Sequence, residues 1–250
     1  MSREVPDPVR VTLQALTDGL FAILGERLVA VYVGGSLAMG DFCVASSDID
    51  FLVVTRGHLN LEESLAVELL HKDLLKRYPD AARLEGDYAP LEVIVPEGTT
   101  EPVPGCERGK FLPRVGEIML SADNIANMCD SGIAFFGRPP AEVLPPVSSA
   151  QVRTAVRTML KEGLAPCESP KEVASALLSL VRSACALERG VPVTKSEGAH
   201  WGLTHLPARW HMAIRAALAV RCAGATAADE ACLLEIEPQL AALSDSLVAS

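Results

Sequence analysis

Residues 33–54, VGGSLAMGDFCVASSDIDFLVV, set Gly34, Gly35 and Ser36 behind one apolar run and Asp48 and Asp50 at the mouth of a second. Two glycines admit positive φ and let neighbouring backbone N–H groups face one side; a serine hydroxyl adds a donor, making a small anion nest suited to phosphate. Asp48 and Asp50 stand at i and i+2, so on a strand their carboxylates share a face about 6–7 Å apart along the backbone. Two hard oxygen donors on one face suit Mg²⁺, which completes its shell with water and substrate phosphates. Buried without a cation, two like charges would cost on the order of several kcal/mol or force one to protonate. Taken singly, the turn is explained by structure alone and the acids by solvation. Taken together they point to a metal-carried nucleoside triphosphate.

Such a site needs elements to position it. Asp7-Pro8 reads as an N-cap and first-turn proline, opening a helix that runs at apolar helical spacing to Gly25. LVAVYV (28–33) is a short β-branched strand broken by Gly34-Gly35, and DIDFLVVT (48–55) is a second strand, followed by a helix over LEESLAVELLHKDLLKRY that Pro79 stops. One or two short strands fall within residues 83–95, PEGTTEPVPGCERGK reads as a loop, ADNIANMCDS as a short helix, and the four prolines of GRPPAEVLPPVSS as a linker. Downstream the spacing is helical over AQVRTAVRTMLKEG, PKEVASALLSLVRSACALERG, ARWHMAIRAALAVRCAG and DEACLLEIEPQLAALSDSLV. Ser169, Pro170 and Glu172 match a capping box with a first-turn proline, and Gly190 a helix stop. The expected fold is an α/β (α+β) N-terminal domain with a small mixed sheet, residues 1–144, and an all-α helical-bundle domain, residues 145–250.

The net charge of −10 argues against a broad nucleic-acid interface, which is built on Lys and Arg, and favours a small cationic partner. Aromatics are 4% of the chain, so the chemistry must come from backbone, carboxylates and basic residues. The seven cysteines are scattered without a C-x-x-C pair, as in reduced cytosolic proteins; Cys129 and Cys185 read as buried structural thiols. MSREVPDPVR lacks a leader's apolar core and no run of about 18 apolar residues occurs, so a cytoplasmic protein without membrane association is expected. His200, His205 and His211 are spaced five and six apart, on different sides of a helix, which does not suit zinc.

G-G-S, eleven intervening residues and D-I-D entering an apolar strand resemble the nucleotidyltransferase superfamily to which DNA polymerase beta belongs. More narrowly, the chain resembles the aminoglycoside adenylyltransferases that modify streptomycin and spectinomycin, enzymes of antibiotic resistance, and the segment HLPARWHMAIRAAL continues the likeness. The resemblance implies a nucleotidyltransferase domain followed by a helical domain that binds substrate and nucleotide, and an enzyme that moves AMP from Mg-ATP to a hydroxyl with release of pyrophosphate. It further implies that Gly35 and Ser36 hold phosphate oxygens and that Asp48 and Asp50 bind Mg²⁺. Arg182 and Lys195, thirteen residues apart in LLSLVRSACALERGVPVTK, would neutralise the triphosphate. The family's third acid, a general base, falls on Glu85 or Glu92; the stretch L-E-G-x-Y favours Glu85. Glu168 and Glu172 align with acids that hold the cationic drug, although Glu172 also completes the capping box. The tryptophans of the family's drug pocket have no counterpart, since Trp201 and Trp210 lie in later helices, and a late tyrosine is replaced near Arg221. The alternatives are a protein adenylyltransferase of antitoxin type and a catalytically silent nucleotide-binding module. A monomer or weak homodimer is expected.

Overall fold

The computed structural model of the chain describes residues 5–44, 46–113, 120–164 and 166–249, so the N-terminal reading at residues 1–4 lies outside the described residues. The chain divides into two compact units, residues 1–42 with 48–147 and residues 43–47 with 148–250.

The first unit contains α1 (Asp7–Leu24), β1 (Leu28–Val33), α2 (Gly35–Ala38), β2 (Ile49–Thr55), α3 (Leu61–Arg77), β3 (Leu84–Pro90), β4 (Ile94–Val95), β5 (Gly98–Thr99), β6 (Gly105–Glu107), β7 (Lys110–Leu112), α4 (Ala122–Ser131), β8 (Ile133–Phe136) and α5 (Pro140–Val143). Its main sheet has the order β7-β6-β3-β2-β1-β8, with β2 and β3 parallel and the other neighbours antiparallel; β4 and β5 form a separate small pair. Because α3 carries the chain from β2 to the start of β3, the two strands begin side by side, and their first residues meet at one end of the sheet.

Both faces of β2 are covered, which explains the unbroken apolar run FLVV. On one face Phe51, Val53 and Tyr88 pack with Val9, Leu13, Leu16 and Leu20 of α1 and with Val67 and Leu74 of α3. On the other, Tyr32, Leu52, Val54 and Ala89 pack with Ile125 and Met128 of α4. Full burial of each such Leu or Val contributes about 1.5–3 kcal/mol. The second face turns acidic at the strand starts, where Asp50 and Glu85 replace apolar residues at the same alternation.

The second unit is helical: α6 (Ser149–Glu162), α7 (Pro170–Arg189), α8 (Lys195–His205), α9 (His211–Arg221), α10 (Ala227–Ile236) and α11 (Leu240–Ala249). Helix α7 lies at its centre, burying Val173, Leu177, Leu178, Val181 and Cys185. Capping boxes at Ser148, Ser169, Thr194 and Thr226 start α6, α7, α8 and α10, each cap contributing about 1 kcal/mol. No helix of the described residues is long and apolar enough to cross a membrane.

Several local expectations are corrected. Pro6, not Asp7, is the N-cap of α1, and Asp7 pairs with Arg10 in the first turn. The stretch 96–110 holds β5, β6 and the start of β7 rather than a continuous loop, because Cys106 and Phe111 insert into the core beneath β3. Strand β8 and helix α8 had no clear periodic signal, and the proline-rich linker contains the short α5. Pro238 divides the last apolar segment into α10 and α11 through a 3₁₀ turn, as a proline that cannot donate to a preceding carbonyl does.

Candidate active site

The glycine turn and the aspartates are locked together by backbone geometry. As β1 ends, the Gly34 N–H donates to the Asp50 carbonyl at 2.9 Å, extending the β1–β2 ladder by one rung. Gly35 follows with φ +56°, and a Cβ built on it would overlap the Asp50 carboxylate. Only glycine meets both conditions. The Gly35 N–H donates to Asn127 Oδ1 at 3.0 Å, so the donor assigned to phosphate from sequence is engaged here by a side chain of α4.

Asp48 is exposed just before β2, and Asp50 is half-buried within it. Glu85 of β3 is the register partner of Asp50 in the parallel pair, and partners in a parallel pair project to the same face. Burial, followed by the charges of Asp48, Asp50 and Glu107, pushes the Glu85 carboxyl up to about 7, against the opposing pull of Arg108. The three acids form one electrostatic group in which Glu85 exchanges a proton near neutrality. Glu92 lies elsewhere, in the 3₁₀ turn Leu91–Val93 at the far end of β3, where it accepts from the Gly57 N–H at 3.4 Å. The structure brings Glu85, and not Glu92, beside Asp50.

Two further residues belong to this region. Asp87 is two register pairs along, opposite Leu52 and on the face of Glu85; burial alone raises its carboxyl to about 7. Strand alternation in L-E-G-D-Y would have revealed it. Asn127 has no such signal, since it reaches Gly35 from an element 92 residues away.

In the helical unit, the first turn of α8 gathers the basic residues. Lys195 Nζ donates to Ser175 Oγ at 3.1 Å, Arg221 Nη1 donates to Ser196 Oγ at 3.3 Å, and the Gly198 backbone packs so tightly on Arg182 of α7 that a Cβ there would overlap it. Arg182 and Lys195 are both half-buried on this α7–α8 seam. Ser46 Oγ donates to the Arg221 carbonyl at 2.5 Å, which binds the segment 43–47 into the unit. Glu172 accepts from the backbone N–H groups of Glu168 and Ser169 at 2.8 and 2.9 Å, as a capping acid does, and the side chain of Glu168 is exposed. His205 stacks on Trp201, His200 Nδ1 meets the Ser196 carbonyl and His211 Nε2 the Leu206 carbonyl, so the three histidines serve separate local contacts.

Comparison with known families places both units. The nucleotidyltransferase domain family matches residues 20–97, and the family described as aminoglycoside adenylyltransferase, C-terminal domain, matches residues 142–249. The chain is a nucleotidyltransferase that carries an aminoglycoside adenylyltransferase C-terminal domain. This nucleotidyltransferase shares its fold with the spectinomycin adenyltransferase AAD(9) from Enterococcus faecialis, solved with ATP and spectinomycin: TM-score 0.67, 16% identity, covering 92% of this chain and 98% of that one. No curated protein matches the chain in sequence.

Among the described residues of the nucleotidyltransferase, no three His, Cys, Asp or Glu side chains converge into a ready-made metal cage. Asp48 and Asp50 fit a magnesium ion that arrives with a triphosphate: such an ion takes one or two carboxylates and draws its other ligands from phosphate and water.

Proposed function

We propose that the enzyme transfers AMP from Mg-ATP to a hydroxyl of an aminoglycoside or similar aminocyclitol and releases pyrophosphate. The observation that carries the reading is the seating of Asp50 against Gly35 with Glu85 as its register partner, which brings together the residues assigned here to phosphate, metal and proton transfer. The domain families and the AAD(9) fold, solved with ATP and spectinomycin, support it.

In this reading Gly35 and Ser36 form the turn that receives phosphate, and Asp48 and Asp50 hold Mg²⁺, whose charge when bound stabilises the attacked and departing phosphates. Glu85 accepts the proton of the acceptor hydroxyl while that oxygen bonds to the α-phosphorus and the bond to the bridging oxygen breaks, so pyrophosphate leaves. A carboxyl raised to about 7 suits this role, because it takes a proton in the reaction and returns it to solvent afterwards. The N-terminal domain carries the transfer chemistry. Arg182 and Lys195 are the helical domain's candidates for the triphosphate charge, and Glu168 and Glu172 its candidates for the substrate's ammonium groups. The net charge of −10 favours a polycationic acceptor.

The test is pyrophosphate release from purified protein with Mg-ATP and a panel of aminoglycosides that includes spectinomycin and streptomycin, with mass spectrometry of the product. Acceptor-dependent pyrophosphate and an AMP-bearing drug are expected, both lost in Asp48→Asn and Asp50→Asn. Intact ATP binding with no pyrophosphate across the panel would overturn the acceptor class and leave nucleotidyl transfer standing.

A further inference from the structure

The Gly35 N–H is already engaged, and its partner identifies a residue that neither the motif nor the domain family marks. A backbone N–H can only donate, so the Asn127 amide must turn its oxygen toward Gly35 and its NH₂ group away. That nitrogen shares a carbon with Oδ1 and therefore lies within roughly 5 Å of the Gly35 nitrogen. Among the described residues nothing accepts a hydrogen bond from the Asn127 NH₂ group, and the hydroxyl of Ser36, next in the turn, is likewise without a partner. Asn127 is half-buried between the buried Ala126 and Met128, and the Met128 side chain packs on Gly34, so α4 holds the amide against the turn.

We propose that Asn127 is a nucleotide-binding residue: its Oδ1 fixes the Gly35 N–H, and its Nδ2 donates to the phosphate oxygens that Ser36 engages. The chemistry is selective. An NH₂ group cannot coordinate a metal or receive an ammonium, whereas a group rich in oxygen acceptors beside the turn satisfies both of its hydrogens. One backbone donor is committed to holding the turn, and the anion nest gains a two-hydrogen donor from α4 in its place. The inference rests on the triphosphate reading given above.

Two variants separate its parts. Asn127→Asp keeps an acceptor for the Gly35 N–H and so preserves the turn, but replaces the donor with an anion. Asn127→Ala removes both contacts without adding charge. Calorimetric titration with Mg-ATP is expected to show affinity at least tenfold weaker in both, with an unchanged melting temperature in Asn127→Asp. If either variant binds Mg-ATP as the unaltered protein does, the inference fails while the function stands. If the unaltered protein does not bind Mg-ATP, the triphosphate reading falls and the inference with it.

Discussion

A side chain at Gly35 would occupy the volume of the Asp50 carboxylate. The same glycine sits at φ +56°, a conformation that costs a side-chain-bearing residue on the order of 1–3 kcal/mol. Steric and torsional demands thus coincide at one position, and both act on the carboxylate proposed to hold the metal. Gly35→Ala is expected to lower turnover roughly a hundredfold, because displacing Asp50 misplaces the reacting groups, with a measurable loss of melting temperature. Gly34 provides the contrast: its φ is ordinary at −121°, and a Cβ there would meet the flexible end of Met128, 2.7 Å from Cε. Gly34→Ala should retain far more activity, and equal damage from the two substitutions would refute the role given to Asp50.

Glu85 and Glu92 are distinguished by position. Glu85→Gln is expected to cut turnover by about 10²–10⁴ without weakening Mg-ATP binding, the range for removal of a general base. Glu92→Gln, a change at the Gly57 turn, should leave turnover near that of the unaltered protein. A Glu92 variant as inactive as the Glu85 variant would reverse the assignment. Steady-state kinetics with pyrophosphate detection decide between them.

Much of this arrangement was legible in the sequence because it depends on local geometry. The spacing of Asp48 and Asp50, the end of β1 at Gly34 and the capping box of α7 are each decided within a few residues. What was not legible depends on pairing across the chain. Glu85 and Glu92 both sit beside short strand signals, and only the β2–β3 register puts Glu85 opposite Asp50. Asn127 lies in an unremarkable helix, and its meaning comes from α4 packing on a turn far away in sequence. Strand β8 escaped notice because its four residues, IAFF, pair only along the edge of β1 and carry no alternation long enough to read.

Lys195 and Arg182 should act on nucleotide rather than on stability. The Lys195 contact with Ser175 is exposed, and surface contacts of this kind contribute about 0–1 kcal/mol. Lys195→Ala is therefore expected to raise the KM for ATP about tenfold, the loss of one charge-assisted hydrogen bond, with little change in melting temperature. A large drop in melting temperature with KM unchanged would mark the residue as structural.

Glu168 and Glu172 divide between cap and substrate. Glu172→Ala removes the acceptor for two backbone N–H groups at the start of α7 and should lower stability by about 1 kcal/mol. Glu168→Gln touches no cap, since only the Glu168 backbone is used there. It should raise the KM for a cationic acceptor and leave the KM for ATP alone. If neither KM moves, Glu168 is a solvent-facing charge.

His71 makes the stability of the first unit sensitive to acid. Its Nδ1 lies 3.0 Å from the Gly109 carbonyl, which can only accept, so Nδ1 carries the proton and Nε2 accepts from the Tyr88 hydroxyl at 2.5 Å. Phe51 and Phe111 flank the ring, and the Cys106 thiol stands 3.6 Å from Nδ1. Burial lowers the imidazole from 6.5 to about 4, while the Gly109 hydrogen bond opposes the shift. Between those values the unfolded chain binds a proton that the folded chain does not. Stability therefore rises with pH across that window and is lost as pH falls from 6.5 toward 4. The contribution between pH 7.5 and 4.5 is about 2–3 kcal/mol. Guanidinium unfolding at the two pH values should show that loss, and His71→Gln, which cannot titrate, should show a loss smaller by the same amount whatever its absolute stability. An identical acid loss in the variant would assign the effect to other groups.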